Sequence, residues 1–244
     1  MNQHEDRNKQ FLNITAIRQA ADLSGCPCLS LDTKNKEMLG NYSRSNDNVY
    51  CTQAQATLDH DFKGKNTLTA IPHGIYDTKE NTGYITLNTS SDTSAFVCEN
   101  IKKWWYSIGI VLYASCPYLL ILCDGGGSNS SRHYIFKENL EKLAKEIGKN
   151  IRIAHYPPYC SKWNPIEHRL FSQVSKAMTG ANMIDLQEMA TRIARTKTKT
   201  GLQVVVEINE NVYIKGQKYH KDYKQNMTIQ FDDFLPKWNY VATS

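Results

Sequence analysis

The chain has 244 residues, 41% of them hydrophobic, with 29 Lys and Arg against 24 Asp and Glu for a formal net charge of +5. This length and composition support one sizeable core and exclude a disordered chain. No apolar run approaches the roughly 18 residues of a membrane span, and the polar start MNQHEDRNKQ lacks a signal core, so a cytoplasmic location without membrane contact is expected.

Seven cysteines (Cys26, Cys28, Cys51, Cys98, Cys116, Cys123, Cys160) are odd in number and form no CxxC pair, which points to a reducing compartment. The charge is uneven. Between Thr191 and Gln225, eight Lys and Arg face three acids, an excess equal to that of the whole chain. Such a region suits a polyanion, and equally a solvated basic surface.

In chain order, Phe11, Ile14, Ile17 and Ala21 recur at helical spacing over 1–25, and Gly25 follows as a stop. Residues Pro27 to Asp32 read as a short strand closing on an aspartate. Met38 to Tyr42 is expected to start a second strand returning beside the first, and 43–70 a loop excursion. Ile71 to Asp77 and Gly83 to Asn88 are strand-like around the turn residues Asn81, Thr82 and Gly83. Asp92 is expected to cap a helix whose apolar face is Phe96, Val97, Ile101, Trp104 and Trp105, with the tryptophans packed in the core.

Tyr118 to Cys123 is nearly all apolar, as a strand covered on both faces should be, and it ends in Asp124 and a glycine run. Phe136, Leu140, Leu143, Ala144 and Ile147 form a helical stripe stopped by Gly148, and Ile151 to Tyr156 is another strand. Asn164 is expected to cap a final core helix, with Pro165 at its first position and Ile166, Leu170, Val174 and Met178 inward. The order of elements describes an α/β sheet with helices packed on it.

Three acids occupy places where such a sheet gathers ligands: Asp32 and Asp124 at strand ends and Glu167 in the first turn of the helix. Hard divalent cations take oxygen ligands and leave room for phosphate oxygens, so this set suits two-cation phosphoryl chemistry with Mg2+ or Mn2+. Gly125-Gly126-Gly127 has two readings, a backbone approach to phosphate or simply a sharp exit from a strand. Arg132, and the Lys162 and Arg169 that flank Glu167, are candidates for DNA phosphate contact. His133, His155 and His168 are expected to be structural, or to support ligands from behind, rather than to bind metal themselves. The glycine loop lacks the Gly-Lys-Ser/Thr ending of a phosphate-cradling P-loop.

Three motifs then carry a resemblance. Asp32-Thr33-Lys34 with Lys36-Glu37 and Gly40, Cys123-Asp124-Gly125-Gly126-Gly127-Ser128-Asn129, and Tyr156-Pro157-Pro158 through Asn164-Pro165-Ile166-Glu167 to Ser172 resemble the Rhodopirellula-type insertion-sequence transposases of the DDE superfamily. Asp6-Arg7-Asn8, Gly74-Ile75-Tyr76-Asp77 and Thr200-Gly201-Leu202 extend the likeness over nearly the whole chain. The resemblance implies a ribonuclease-H-like mixed sheet flanked by helices, metal-dependent cleavage and transfer of DNA strands at the ends of an insertion sequence, and Asp32, Asp124 and Glu167 at the DDE positions. Glu167 follows Asp124 by 43 residues, within the short spacers of that branch. It also implies DNA as partner, a homo-oligomer when two ends are brought together, and an upstream helix-turn-helix region that this chain is expected to lack.

The expected organisation is an N-terminal helical segment (1–25), a ribonuclease-H-like catalytic core (26–180) and a basic C-terminal extension (181–244) whose Lys197 and Lys199 contact DNA. The alternative is a truncated or domesticated remnant that binds DNA without catalysis.

Overall fold

The computed structural model describes residues 4–42, 56–59, 64 and 67–244. Most of the expected excursion over 43–70, with Cys51, lies outside the described residues. The elements run α1 (Arg7–Leu23), β1 (Cys28–Thr33), β2 (Glu37–Met38), β3 (Thr69–Asp77), β4 (Thr82–Asn88), α2 (Ser94–Trp104), a π-helical turn (Trp105–Gly109) and α3 (Ile110–Leu112). Then follow β5 (Tyr118–Asp124), α4 (Tyr134–Ile147), β6 (Asn150–Tyr156), a π-helical turn (Glu167–Phe171) continued by α5 (Ser172–Met178), and α6 (Leu186–Ala194). The chain closes with β7 (Gln203–Ile208), α7 (Tyr223–Asn226), β8 (Gln230–Phe231) and β9 (Asn239–Ala242).

One mixed sheet in the order β7-β4-β3-β1-β5-β6-β9-β8 organises the chain, with β2 paired to β3. β1, β5 and β6 run parallel in its centre, while β3 pairs antiparallel with both β1 and β4. The α/β expectation is met. Two local expectations are corrected. The strand returning beside β1 is β3 rather than the segment after Glu37, which forms only a two-residue pair with β3. The side-chain cap of α2 is Thr93, whose hydroxyl accepts from the Phe96 amide at 3.2 Å, and not Asp92. Thr93 has the extended backbone an N-cap requires.

Residues 181–244 complete the sheet. β7 adds parallel to β4 at one edge, and β9 adds antiparallel to β6 at the other. Strand pleat decides which helix covers which face. His73 on β3 meets Phe96 of α2, whereas its neighbour Gly74 lies under Ile166 and Phe171. Trp104 and Trp105 are buried at 1% and 2% exposure, so both pack in the core. Two glycines set the distance of the Glu167 turn from the sheet. A Cβ on Gly74 would come within 2.6 Å of Phe171, and one on Gly83 would overlap Leu170. Only a bare backbone lets the helix lie this close.

Candidate functional site

The register of β1 on β5 pairs Leu31 with Cys123, so the next residue of each strand, Asp32 and Asp124, emerges side by side at the carboxyl ends. In the pleat, Asp32 shares a face with Ser30 and opposes Gly74, the face covered by the Glu167 turn. Glu167 itself is half-buried in the first π-helical residue after Ile166.

The turn is fixed to β1 by a buried polar knot. Asn164 Nδ2 donates to the Leu31 carbonyl at 3.0 Å, the Ser30 hydroxyl donates to Asn164 Oδ1, and the Ile166 amide donates to Ser30 Oγ at 3.0 Å. Asn164 is therefore not the side-chain cap expected. A hydroxyl on the strand meets a free amide at the helix start, and Asn164 braces the strand. Ser30 and Asn164 were missed as site residues. Asn164 sits in the Asn-Pro-Ile-Glu motif, but nothing local marks Ser30 as its partner.

Electrostatics ties the three acids together. Burial pushes the Asp32 carboxyl up to about 7, helped by the charge of Asp124 and by the charge and hydrogen bond of Glu167, against the pull of the Thr33 amide, which donates to Asp32 Oδ1 at 2.7 Å. Burial likewise raises Asp124 to about 6, with the Glu167 charge adding to it. Asp124 Oδ1 is buried with no hydrogen-bond partner among the described residues. Crowded carboxylates of this kind disfavour one another's ionisation unless a cation joins them.

An all-oxygen donor set with one orphaned buried oxygen fits a hard divalent cation in its chemistry. Among the described residues, though, no three His, Cys, Asp or Glu side chains stand in an arrangement that could hold a metal ion. The acids are electrostatic neighbours without forming a closed ligand set.

Asp124 is held from behind. His155 is fully buried, and burial depresses its pKa to about 4, so its ring is neutral. Its Nδ1 lies 3.0 Å from the Asp124 carbonyl, an acceptor only, so Nδ1 carries the proton and Nε2 accepts from the Tyr240 hydroxyl at 2.9 Å. This is the structural role expected of His155. His168 Nε2 meets the Lys162 carbonyl at 2.6 Å, while His133 precedes α4 without capping it.

The glycine run leaves β5 through an open turn. Gly127 has φ +61°, and Cβ atoms at Gly126 and Gly127 would meet nothing within 4 Å. The run opens only a single 3-10 turn (Gly127–Asn129), and the next long helix starts at Tyr134, so the run is not the N-terminus of a long helix. Arg132 lies exposed on this turn, and Lys162 and Arg169 are exposed on either side of Glu167. Lys197 and Lys199 fall elsewhere. They precede β7, whose first residue pairs with Thr82 at the end of the sheet opposite Asp32.

A mixed sheet with parallel central strands, an antiparallel β1-β3-β4 meander, and acids at the ends of β1 and β5 is a ribonuclease-H-like arrangement. The family model described as the Rhodopirellula transposase DDE domain matches residues 1–244, and the chain belongs to that family. Its fold is similar to that of a pre-cleavage Mos1 transpososome, at 13% identity and TM-score 0.51 over 78% of this chain and 55% of that one. A Mos1 strand transfer complex gives 12% identity and TM-score 0.48 over 76% and 50%, and a paired-end complex with the left transposon end 14% and 0.48 over 78% and 54%. The chain spans about half the length of these solved relatives. No curated protein matches. No helix among the described residues is long and apolar enough to cross a membrane.

Proposed function

We propose that this chain is the catalytic part of a DDE transposase that cleaves DNA at the ends of an insertion sequence and joins it to target DNA. The observation that carries the reading is the adjacency of Asp32 and Asp124 on parallel strands, with Glu167 electrostatically coupled to both. Membership of the transposase family supports it.

Asp32, Asp124 and Glu167 would be the residues that hold two Mg2+ or Mn2+ ions. Cations there would supply the charge that lowers the pKa of an attacking water or 3′-hydroxyl and neutralises the departing oxygen. The chain's own part is to keep three carboxylates on one face of the sheet. Asn164 and Ser30 fix the Glu167 turn to β1, and His155 fixes the Asp124 backbone. Arg132, Lys162 and Arg169 would steady DNA phosphates around the acids, and Lys197 and Lys199 would meet DNA further away. A second copy of the chain would be needed to bring two ends together. The six described cysteines are free and buried, which suits a cytoplasmic, reducing setting.

The test is incubation of the purified chain with DNA carrying the element's terminal repeats and Mg2+ or Mn2+. Nicked or joined products are expected, and Asp124→Asn should abolish them; products that persist in that variant sink the assignment. A second reading, a DNA-binding remnant without catalysis, has in its favour the lack of a three-residue ligand arrangement among the described residues. It is distinguished by terminal-repeat DNA that is bound yet uncut with either cation.

A further inference from the structure

A groove of about 570 Å³ opens between the turn that follows Asp124 and residues 214–219. Gly127 and Ser128 form one wall, three residues beyond the strand-end acid. On the other, Gly216 at φ +76° turns the chain and brings Lys215 and Lys218 to the same groove. With Arg132 these two lysines form an exposed cationic rim.

The interior differs from the rim. Tyr134 and Tyr219 line it with ring centroids 5.4 Å apart, and Lys224 sits over both rings at 4.6 Å and 5.6 Å. Asp92 contributes a half-buried carboxyl that burial raises above its ordinary value, against the pull of Ser128 and of Thr33, the residue after Asp32. The groove is thus cationic outside, aromatic along its side and anionic within. Its volume falls in the roughly 300–1,000 Å³ range of pockets that enclose a drug-sized molecule. That is room for one or two unstacked nucleotides and too little for a duplex.

We propose that this groove takes a single DNA strand running to or from the Asp32–Asp124 face, with phosphates on Arg132, Lys215 and Lys218 and bases turned toward the tyrosine wall. The inference rests on the reading that the chain acts on DNA and adds which form of DNA is held, and where. A carboxylate inside repels phosphate and keeps the backbone at the rim, while aromatic rings accept bases of any sequence.

The experiment is fluorescence anisotropy with a short labelled single strand and with the duplex of the same sequence, across a salt series. Lys215 and Lys218 are exposed, so the double variant Lys215→Ala, Lys218→Ala should fold as the parent does. Its affinity for the single strand should fall roughly tenfold, and the slope of log K against log salt should become shallower by about 1.4, the release expected for two phosphates on a single strand. Duplex affinity should change less than about twofold, an effect below one lost phosphate contact. Tyr219→Ala should weaken the normal strand but not an abasic one. Unchanged single-strand affinity and slope in the double variant, or equal losses for strand and duplex, would overturn the groove while leaving the proposed function standing. A parent chain that binds neither form defeats both.

Discussion

Asn164 and Ser30 meet in the core, 134 residues apart in sequence, and through them the strand that carries Asp32 is tied to the turn that carries Glu167. Neither residue exposes any surface. Two acids of the proposed site are thereby referred to one buried fastening.

Asn164→Ala removes the acceptor of the Ser30 hydroxyl proton and the side-chain donor to the Leu31 carbonyl, leaving Ser30 Oγ only the Ile166 amide. A loss of about 1–3 kcal/mol in folding stability is expected. DNA cleavage should fall further than the folded fraction does, because Glu167 loses its register against Asp32. Urea denaturation and nicking assays at a temperature where the variant is folded check this. Normal cleavage by the folded variant would contradict it.

Asp32 and Asp124 set a pH dependence whose sign can be worked out. Folding raises both carboxyls from 3.8, to about 7 and about 6. The native chain keeps protons that the unfolded chain has released, so this contribution is fully present below pH 3.8 and is lost as pH rises through 6 and 7. Asp124→Asn should therefore raise stability at pH 8, by on the order of 1–2 kcal/mol after allowing for solvent screening, and should flatten the profile between pH 5 and 8. Thermal melts across that range decide it, and a variant less stable than the parent at pH 8 would count against crowding of the acids.

Divalent cation should relieve the same repulsion. At pH 8, Mg2+ or Mn2+ at about a hundred times its Kd should add about 2.7 kcal/mol of stability to the parent, and much less to Asp124→Asn. The readout is the melting temperature with and without EDTA, independent of any cleavage.

Gly74→Ala tests the close approach of the helix. Its new methyl would stand 2.6 Å from the Phe171 ring and 2.8 Å from Ile166. Overpacking of this kind costs about 1–3 kcal/mol, and the displaced turn should reduce cleavage as well. Gly126→Ala, where a Cβ meets nothing within 4 Å, is the control and should be nearly neutral.

Tyr240→Phe would leave His155 Nε2 buried without its donor. A stability loss of about 1–3 kcal/mol is expected, with slower amide exchange lost first on β6, the strand that bears His155.

Much of this was legible in the sequence because it is written in local pattern. The apolar run Tyr118 to Cys123 announces a covered strand that stops at Asp124, and the Phe136-to-Ile147 stripe a helix. What stayed hidden depends on pairings between distant residues. Asn164 before Pro165 looks like an ordinary cap, and only the fold shows its side chain turned to β1. Gly74 reads as a weak point within a strand until Phe171 is laid over it. Asp92 and Thr93 are both good caps, and one residue of offset decides between them. The basic excess after Thr191 gave no hint that Lys197 and Lys215 lie in different parts of the fold, one beside the start of β7 and the other on a groove near the acids.

The buried amide pair of Gln10 and Asn239 carries a consequence for how the molecule comes together. Gln10 Nε2 reaches both the His155 carbonyl and Asn239 Oδ1 at 2.9 Å, across 229 residues of sequence to Asn239. A contact that closes so long a loop is expected to form after the local elements on either side of it. α1 and β9 thus form a clasp over β6, and Tyr240, which steadies His155 behind Asp124, is carried by one of its halves.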